Sequence, residues 1–167
     1  VCRNLHVVIK ETVPVFTVSV VMVSSKVWEG KPDLCRSVLH ECLQSAKMTL
    51  VSYEVLPDNR VMVSERLREL CQERNSSVIL TVGGTGIRPT DWVPEATRDV
   101  IEKEVPGIGE AMRAESIKKI RTAMLSRGTA GILGRTLIVN LPGSPKGVKE
   151  NFEFVAPLLE HIVEKMA

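Results

Sequence analysis

The chain has 167 residues, 44% of them hydrophobic and 25% charged, which suits one globular domain with a full core. A net charge of +2 and few aromatics (two Trp, one Tyr, three Phe), none interleaved with Lys and Arg, argue against a nucleic-acid-binding surface. No apolar run reaches the span of a membrane helix; the Val15–Val23 run is about half the required length.

Residues 1–14 contain His6, Lys10 and Glu11 and lack an apolar signal core, so the expected address is cytoplasmic. This segment is read as an N-terminal extension that adds an edge strand ahead of Pro14. Val15–Val23 predicts the first core strand, and Asp33 a cap for a helix running to about Lys47. Cys35 and Cys42 fall on one face of that helix with Leu34, Val38, Leu39, Leu43 and Ala46, and Cys71 follows Leu67 and Leu70 on another. With no CxxC pair and no His at ligand spacing, the cysteines read as small core thiols.

Thr49–Val55 predicts the second strand and Leu56-Pro57-Asp58-Asn59 its turn. A helix carrying Val63, Leu67, Leu70 and Cys71 comes next. Val78–Thr81 predicts a strand buried on both faces, because a short β-branched run with no polar alternation has no face for water. A helix is then expected over about Pro94–Glu104, broken by Pro106-Gly107, and another over Gly109–Lys119. Thr129–Leu133 and Thr136–Asn140 flank Gly134-Arg135 as a hairpin or tight strand connection. The last helix starts at Ser144 and Pro145, carries the stripe Val148, Phe152, Val155, Leu159, Ile162, Val163 and Met166, and should kink at Pro157. Strands alternating with helices predict an α/β fold: a three-layer α/β/α domain with a mainly parallel sheet.

Two glycine turns carry the chemistry. Val82-Gly83-Gly84-Thr85-Gly86 follows a buried strand and offers residues that accept φ > 0 and let a ligand approach bare amides. Asp91 and Glu95 follow close behind, beside Pro94 at a helix start. Asn140–Gly147 repeats the arrangement: strand, Pro142-Gly143, a Ser144 cap, Pro145, and the cation of Lys146 at a helix N-terminus. Two such turns on neighbouring strand ends make a phosphate-accepting crevice. No P-loop, dinucleotide fingerprint or GxSxG elbow is present, and His6, His40 and His161 are scattered.

The chain resembles the molybdopterin-binding family whose catalytic members are molybdopterin adenylyltransferases, including the bacterial stand-alone enzyme and the G domain of gephyrin. The resemblance runs from about Val18 to His161. It rests on Leu56-Pro57-Asp58, Thr81–Gly86, Asp91 with Pro94–Thr97, Val105-Pro106-Gly107, Met112-Arg113, Leu125-Ser126-Arg127, Ala130-Gly131-Ile132 and Asn140–Lys146. It implies adenylyl transfer from ATP to molybdopterin in molybdenum cofactor biosynthesis, with Mg²⁺, in a homotrimer that hands its product to a molybdenum-insertion enzyme. The alternative from the same family is a non-catalytic molybdopterin carrier or trimeric scaffold.

By the resemblance, Asp58 and Asp91 are the catalytic, metal-holding carboxylates. Read locally, without the resemblance, the first is a turn residue and the second a helix cap. The implied substrate-binding set is Ser24, Gly83, Gly84, Thr85, Gly86, Glu95, Ser126, Gly143, Ser144, Pro145 and Lys146. Glu95 meets the pterin or orients the metal, or is an ordinary first-turn acid. Arg113 and Arg127 are open between phosphate binding and exposed packing. The chain departs from the family pattern at the first strand's end, which reads Ser24-Ser25 rather than Ser-Asp. It departs again at Asp33-Leu34-Cys35-Arg36, where Asp followed by Ser-Gly is usual, and at Thr90, where Arg commonly precedes the aspartate.

Overall fold

A computed structural model of the chain describes residues 16–167. Six strands form one sheet: β1 (Thr17–Val23), β2 (Thr49–Leu56), β3 (Val78–Val82), β4 (Lys103–Glu104), β5 (Ala130–Leu133) and β6 (Thr136–Leu141), in the order β2-β1-β3-β6-β5-β4. The first four positions are mutually parallel, and β5 and β4 are added antiparallel at one edge. The edge strand expected within residues 1–14 lies outside the described residues.

Side chains alternate across a strand, so each buried strand feeds two cores. Val18, Val20 and Met22, with Val78, Leu80, Val82, Leu137, Val139 and Leu141, face one side. There they meet α2 (Arg36–Ser45), α5 (Pro106–Ile117) and α6 (Pro145–Met166). Val21, Val23, Ile79 and Ile138 face the other side, against α3 (Arg60–Glu73) and α4 (Val93–Arg98). The fold is thus a three-layer α/β/α arrangement around a mainly parallel sheet. Three cysteines, Cys35, Cys42 and Cys71, are buried and unpaired.

Several elements differ from the sequence expectation, each for a local reason. The helix expected to reach Glu104 stops at Arg98. Val100 then turns into the core, and the Glu102 amide donates to Ile132 O, so Lys103–Glu104 becomes a short edge strand. Pro106 begins α5 instead of ending a helix, as a proline at the first helical position can. Helix α2 starts at Arg36; Asp33 caps it from a distance, its Oδ1 accepting from the Cys35 and Arg36 amides at 2.9 and 3.2 Å. Leu34 therefore precedes the helix and is 68% exposed rather than part of the core stripe. A four-residue helix, α1 (Ser25–Trp28), and a 3-10 turn (Arg121–Leu125) were not expected. Helix α6 continues through Pro157 to Met166.

The connection between β5 and β6 is the expected hairpin, with Gly134 at φ +59°. Asn140 ties the sheet beneath the strand ends. Its Nδ2 donates to the hydroxyls of Thr81 and Thr97 at 2.9 and 2.8 Å, and its Oδ1 accepts from the Thr129 amide. All four residues are buried, so the network satisfies groups that water cannot reach.

Candidate functional site

Because β2, β1, β3 and β6 are parallel, their carboxyl ends reach the same edge of the sheet, where ligands of open α/β sheets bind. Leu56 leads to Asp58, Val23 to Ser24 and Ser25, Val82 to Gly83–Gly86, and Leu141 to Pro142–Lys146. Between them opens a cavity of about 970 Å³, walled on one side by Met112, Arg113 and Ser116 of α5. All the residues named from the sequence as catalytic or substrate-binding line it, except Glu95.

The glycines have distinct reasons. Gly83 lies at φ +94°, and a Cβ there would stand 2.6 Å from Val23 O. A Cβ on Gly143 would stand 3.1 Å from Gly83 Cα, so the ends of β1, β3 and β6 converge only because both positions are bare. The Gly83 amide donates to Leu141 O at 3.1 Å and extends the sheet. Gly84, at φ +66°, sits over the Val93 side chain. Among the described residues the amides of Gly84, Thr85 and Gly86 donate to no protein acceptor. Three successive free N–H groups beside a cavity form an anion-accepting concavity. On the opposite wall, Ser144 caps the 22-residue α6 by accepting from the Gly147 amide at 3.1 Å, with Pro145 in the first turn and Lys146 exposed at the mouth.

The two aspartates are held by backbone. Asp58 Oδ2 accepts from the Ser25 amide at 2.8 Å, and its own amide donates to Ser25 Oγ at 2.9 Å. Ser25 is the first residue of α1, whose N-cap is Ser24. The short helix and the Asp58 turn thus define each other. Asp91 is buried, and its Oδ2 accepts from the Arg88 amide at 2.8 Å, with the Arg88 Nε 3.9 Å away. A Cβ on Gly86 would fall 2.8 Å from that same Oδ2, so Gly86 makes room for the carboxylate. Among the described residues, Oδ1 of each aspartate carries no protein hydrogen bond, and both side chains line the cavity. No cluster of three or more His, Cys, Asp or Glu occurs among the described residues. A cation held here would therefore take its other ligands from water and from phosphate oxygens, the habit of Mg²⁺.

Glu95 stands behind the loop. One carboxylate oxygen pairs with Arg127, and Oε2 is buried with no hydrogen-bond partner. Arg127 also donates to Gly86 O and Asp91 O at 2.7 and 2.6 Å, so its guanidinium is engaged by protein. Arg113, which lines the cavity, donates to Gly128 O at 2.8 Å and to Ser126 O at 3.4 Å.

Sequence reasoning missed the part of the wall formed by Asp33 and Cys35 and supported by Tyr53. Tyr53 Oη donates to Asp33 Oδ2 at 2.6 Å, and the Arg36 guanidinium stacks over the ring at 4.8 Å. Burial, that hydrogen bond and the Asp33 charge all raise the phenol. The Cys35 thiol donates to Gly143 O at 3.4 Å, joining this wall to the second glycine turn. Burial, with Asp33 adding, pushes the thiol up to about 11, so it stays protonated at neutral pH. The chain's single tyrosine, placed on an edge strand, was the one available signal for this wall.

Comparison with known proteins agrees with this geometry. Residues 19–161 match the family described as "Probable molybdopterin binding domain". The chain is 41% identical over 149 residues to the molybdenum cofactor synthesis protein cinnamon of Drosophila melanogaster, covering 88% of this chain but only 25% of that protein. It is 39% identical over 134 residues to a molybdopterin adenylyltransferase of Helicobacter pylori, covering 79% of this chain and 76% of the relative. The crystal structure of the molybdopterin biosynthesis enzyme MoaB from Thermus thermophilus superposes with a TM-score of 0.85 at 42% identity, over 90% of this chain and 96% of that one. With residues 19–161 matched to the family and relatives of 39–42% identity covering most of the chain, the chain belongs to the molybdopterin-binding domain family.

Proposed function

We propose that the chain transfers the adenylyl group of ATP to molybdopterin, giving adenylylated molybdopterin and pyrophosphate in molybdenum cofactor biosynthesis. A terminal phosphate oxygen of molybdopterin attacks the α-phosphorus of ATP; a new P–O bond forms, and the bond to the leaving pyrophosphate breaks. Such a transfer needs charge neutralisation and in-line positioning more than a strong base. The observation that carries the reading is the pairing of two carboxylates, Asp58 and Asp91, with three free amides at Gly84–Gly86 in one cavity.

Asp58 and Asp91 are the residues that would hold Mg²⁺, each through the oxygen not engaged by a backbone amide. When bound there, the ion supplies charge neutralisation to the phosphates. The Gly84–Gly86 amides and the N-terminus of α6 bind phosphate oxygens, Lys146 adds a cation at the mouth, and Ser24 and Ser126 border the same space. Glu95 acts from behind through Arg127.

The test is incubation of the protein with molybdopterin, Mg²⁺ and ATP, followed by detection of adenylylated product and pyrophosphate. Binding without product would assign the chain to the carrier class. Retention of both carboxylates on the cavity wall favours the enzyme, since a carrier of an anionic ligand gains nothing from two negative groups beside it.

The family resemblance further supports a homotrimer in the cytoplasm that hands its product to a molybdenum-insertion enzyme. Sedimentation equilibrium at micromolar concentration should return three times the monomer mass. Among the described residues no helix is long and apolar enough to cross a membrane.

A further inference from the structure

Arg127 bonds to four groups that lie far from it in sequence. Its amide donates to Thr85 O at 2.8 Å. Its Nε donates to Gly86 O at 2.7 Å, Nη2 to Asp91 O at 2.6 Å, and Nη1 to Glu95 Oε1. The guanidinium plane thus bridges both ends of the Gly86–Asp91 loop and fastens them to the first turn of α4. Only a planar fork with donors on three nitrogens fits three acceptors in this way. Arg127 itself is anchored from α5, because Arg113 Nη1 donates to Gly128 O at 2.8 Å and to Ser126 O at 3.4 Å, the carbonyls on either side of it.

Ser126 and Gly128 line the cavity, whereas Arg127 between them does not. Its charge is matched by Glu95 rather than aimed at a ligand. We propose that Arg127 is a positioning residue: it holds the loop so that the Asp91 carboxylate and the amides of Gly84–Gly86 face the cavity, and it touches no substrate. The proposal rests on the adenylyl-transfer reading for its effect on rate, and on the fold alone for its effect on the loop.

The experiment has two arms on the full chain, using Arg127→Lys and Arg127→Ala. Lysine keeps the charge but cannot reach three acceptors in a plane. Turnover with Mg²⁺-ATP and molybdopterin should fall about 100-fold in Arg127→Lys, the scale expected for a misplaced catalytic group. Methylguanidinium at non-denaturing concentration should restore part of the rate in Arg127→Ala. In the second arm, amide hydrogen exchange is followed by mass spectrometry. The Arg88, Asp91 and Val93 amides are hydrogen-bonded within or beside the loop. Exchange over residues 84–93 should accelerate in both variants while β3 and β6 keep their protection. Should Arg127→Ala fail to fold, Arg127→Lys carries both arms. Wild-type turnover in Arg127→Lys, or unchanged exchange over residues 84–93, would overturn the proposal. An inactive wild-type protein whose loop still loosens in the variants would leave Arg127 as the loop's strut and remove the adenylyl-transfer reading instead.

Discussion

Ser25 and Asp58 hold each other across the ends of β1 and β2, each donating its amide to the other's side chain at 2.8 and 2.9 Å. The Ser25 amide aims the Asp58 carboxylate, and the Ser25 hydroxyl holds the Asp58 backbone in register without adding a second negative charge. Ser25→Ala removes the acceptor of the Asp58 amide, a loss of about 1 kcal/mol. The expected result is a small drop in melting temperature and a larger drop in turnover, about tenfold, from a less constrained Asp58. Ser25→Thr should retain both. Equal loss of activity in the two variants would detach Ser25 from the aim of Asp58.

Gly84 tests the first glycine turn. At φ +66° a side chain is strained, and a Cβ would stand 2.5 Å from Val93 Cγ2, inside the smaller of the two cores. Gly84→Val should cost about 1–3 kcal/mol from the backbone alone and push the free amides of the turn out of line. Titration calorimetry with molybdopterin, run beside a thermal melt, should show binding lost in a protein that remains folded at room temperature. Undiminished affinity would reject the turn as a ligand cradle.

How much of this was legible from the chain depends on where each element gets its information. The strands β1, β3 and β6 are predominantly apolar runs, and burial on both faces needs little more local than that. Strand β4 is two exposed residues that pair only because β5 lies alongside, and Lys103-Glu104 has no pattern of its own. Helix α1 is likewise set by a contact with Asp58, 33 residues away. At the site, the position of Asp58 and Asp91 just beyond two strand ends was readable. The direction of the Arg127 guanidinium was not, since its acceptor Gly86 O lies 41 residues away. Leu34 was misassigned because Asp33 caps from outside the helix, leaving Leu34 in the connecting turn.

Two buried thiols and the Tyr53 phenol give the fold an alkaline limit. Burial raises Cys35 and Cys71 from their ordinary 9.0 to about 11, and burial together with the Asp33 bond raises Tyr53 in the same direction. In each case the unfolded chain releases its proton first. Stability from these groups is therefore full below pH 9 and falls as pH rises towards 11. Melting temperature should decline across that window, and Tyr53→Phe or Cys35→Ser should flatten the slope whatever their effect on the plateau. An identical slope in both variants would mean that other groups set the limit.

Asp58→Asn and Asp91→Asn decide between enzyme and carrier. An amide oxygen can still accept from the Ser25 and Arg88 amides, so the shape of both turns survives while one charge is lost in each. If the carboxylates hold Mg²⁺ for the transfer, turnover should fall by several orders of magnitude. Molybdopterin affinity should hold or rise, because an anionic ligand then meets fewer negative groups. Asp91 bonds the Arg88 amide of its own loop rather than capping α4. If the two carboxylates serve only to hold their turns, each variant should lose about 1 kcal/mol and retain its rate. Product formation and binding measured on the same two proteins separate these patterns. Near-wild-type turnover in both would end the catalytic assignment, since the other carboxylates on the cavity wall, Asp33 and Glu150, are engaged by Tyr53 and Lys119.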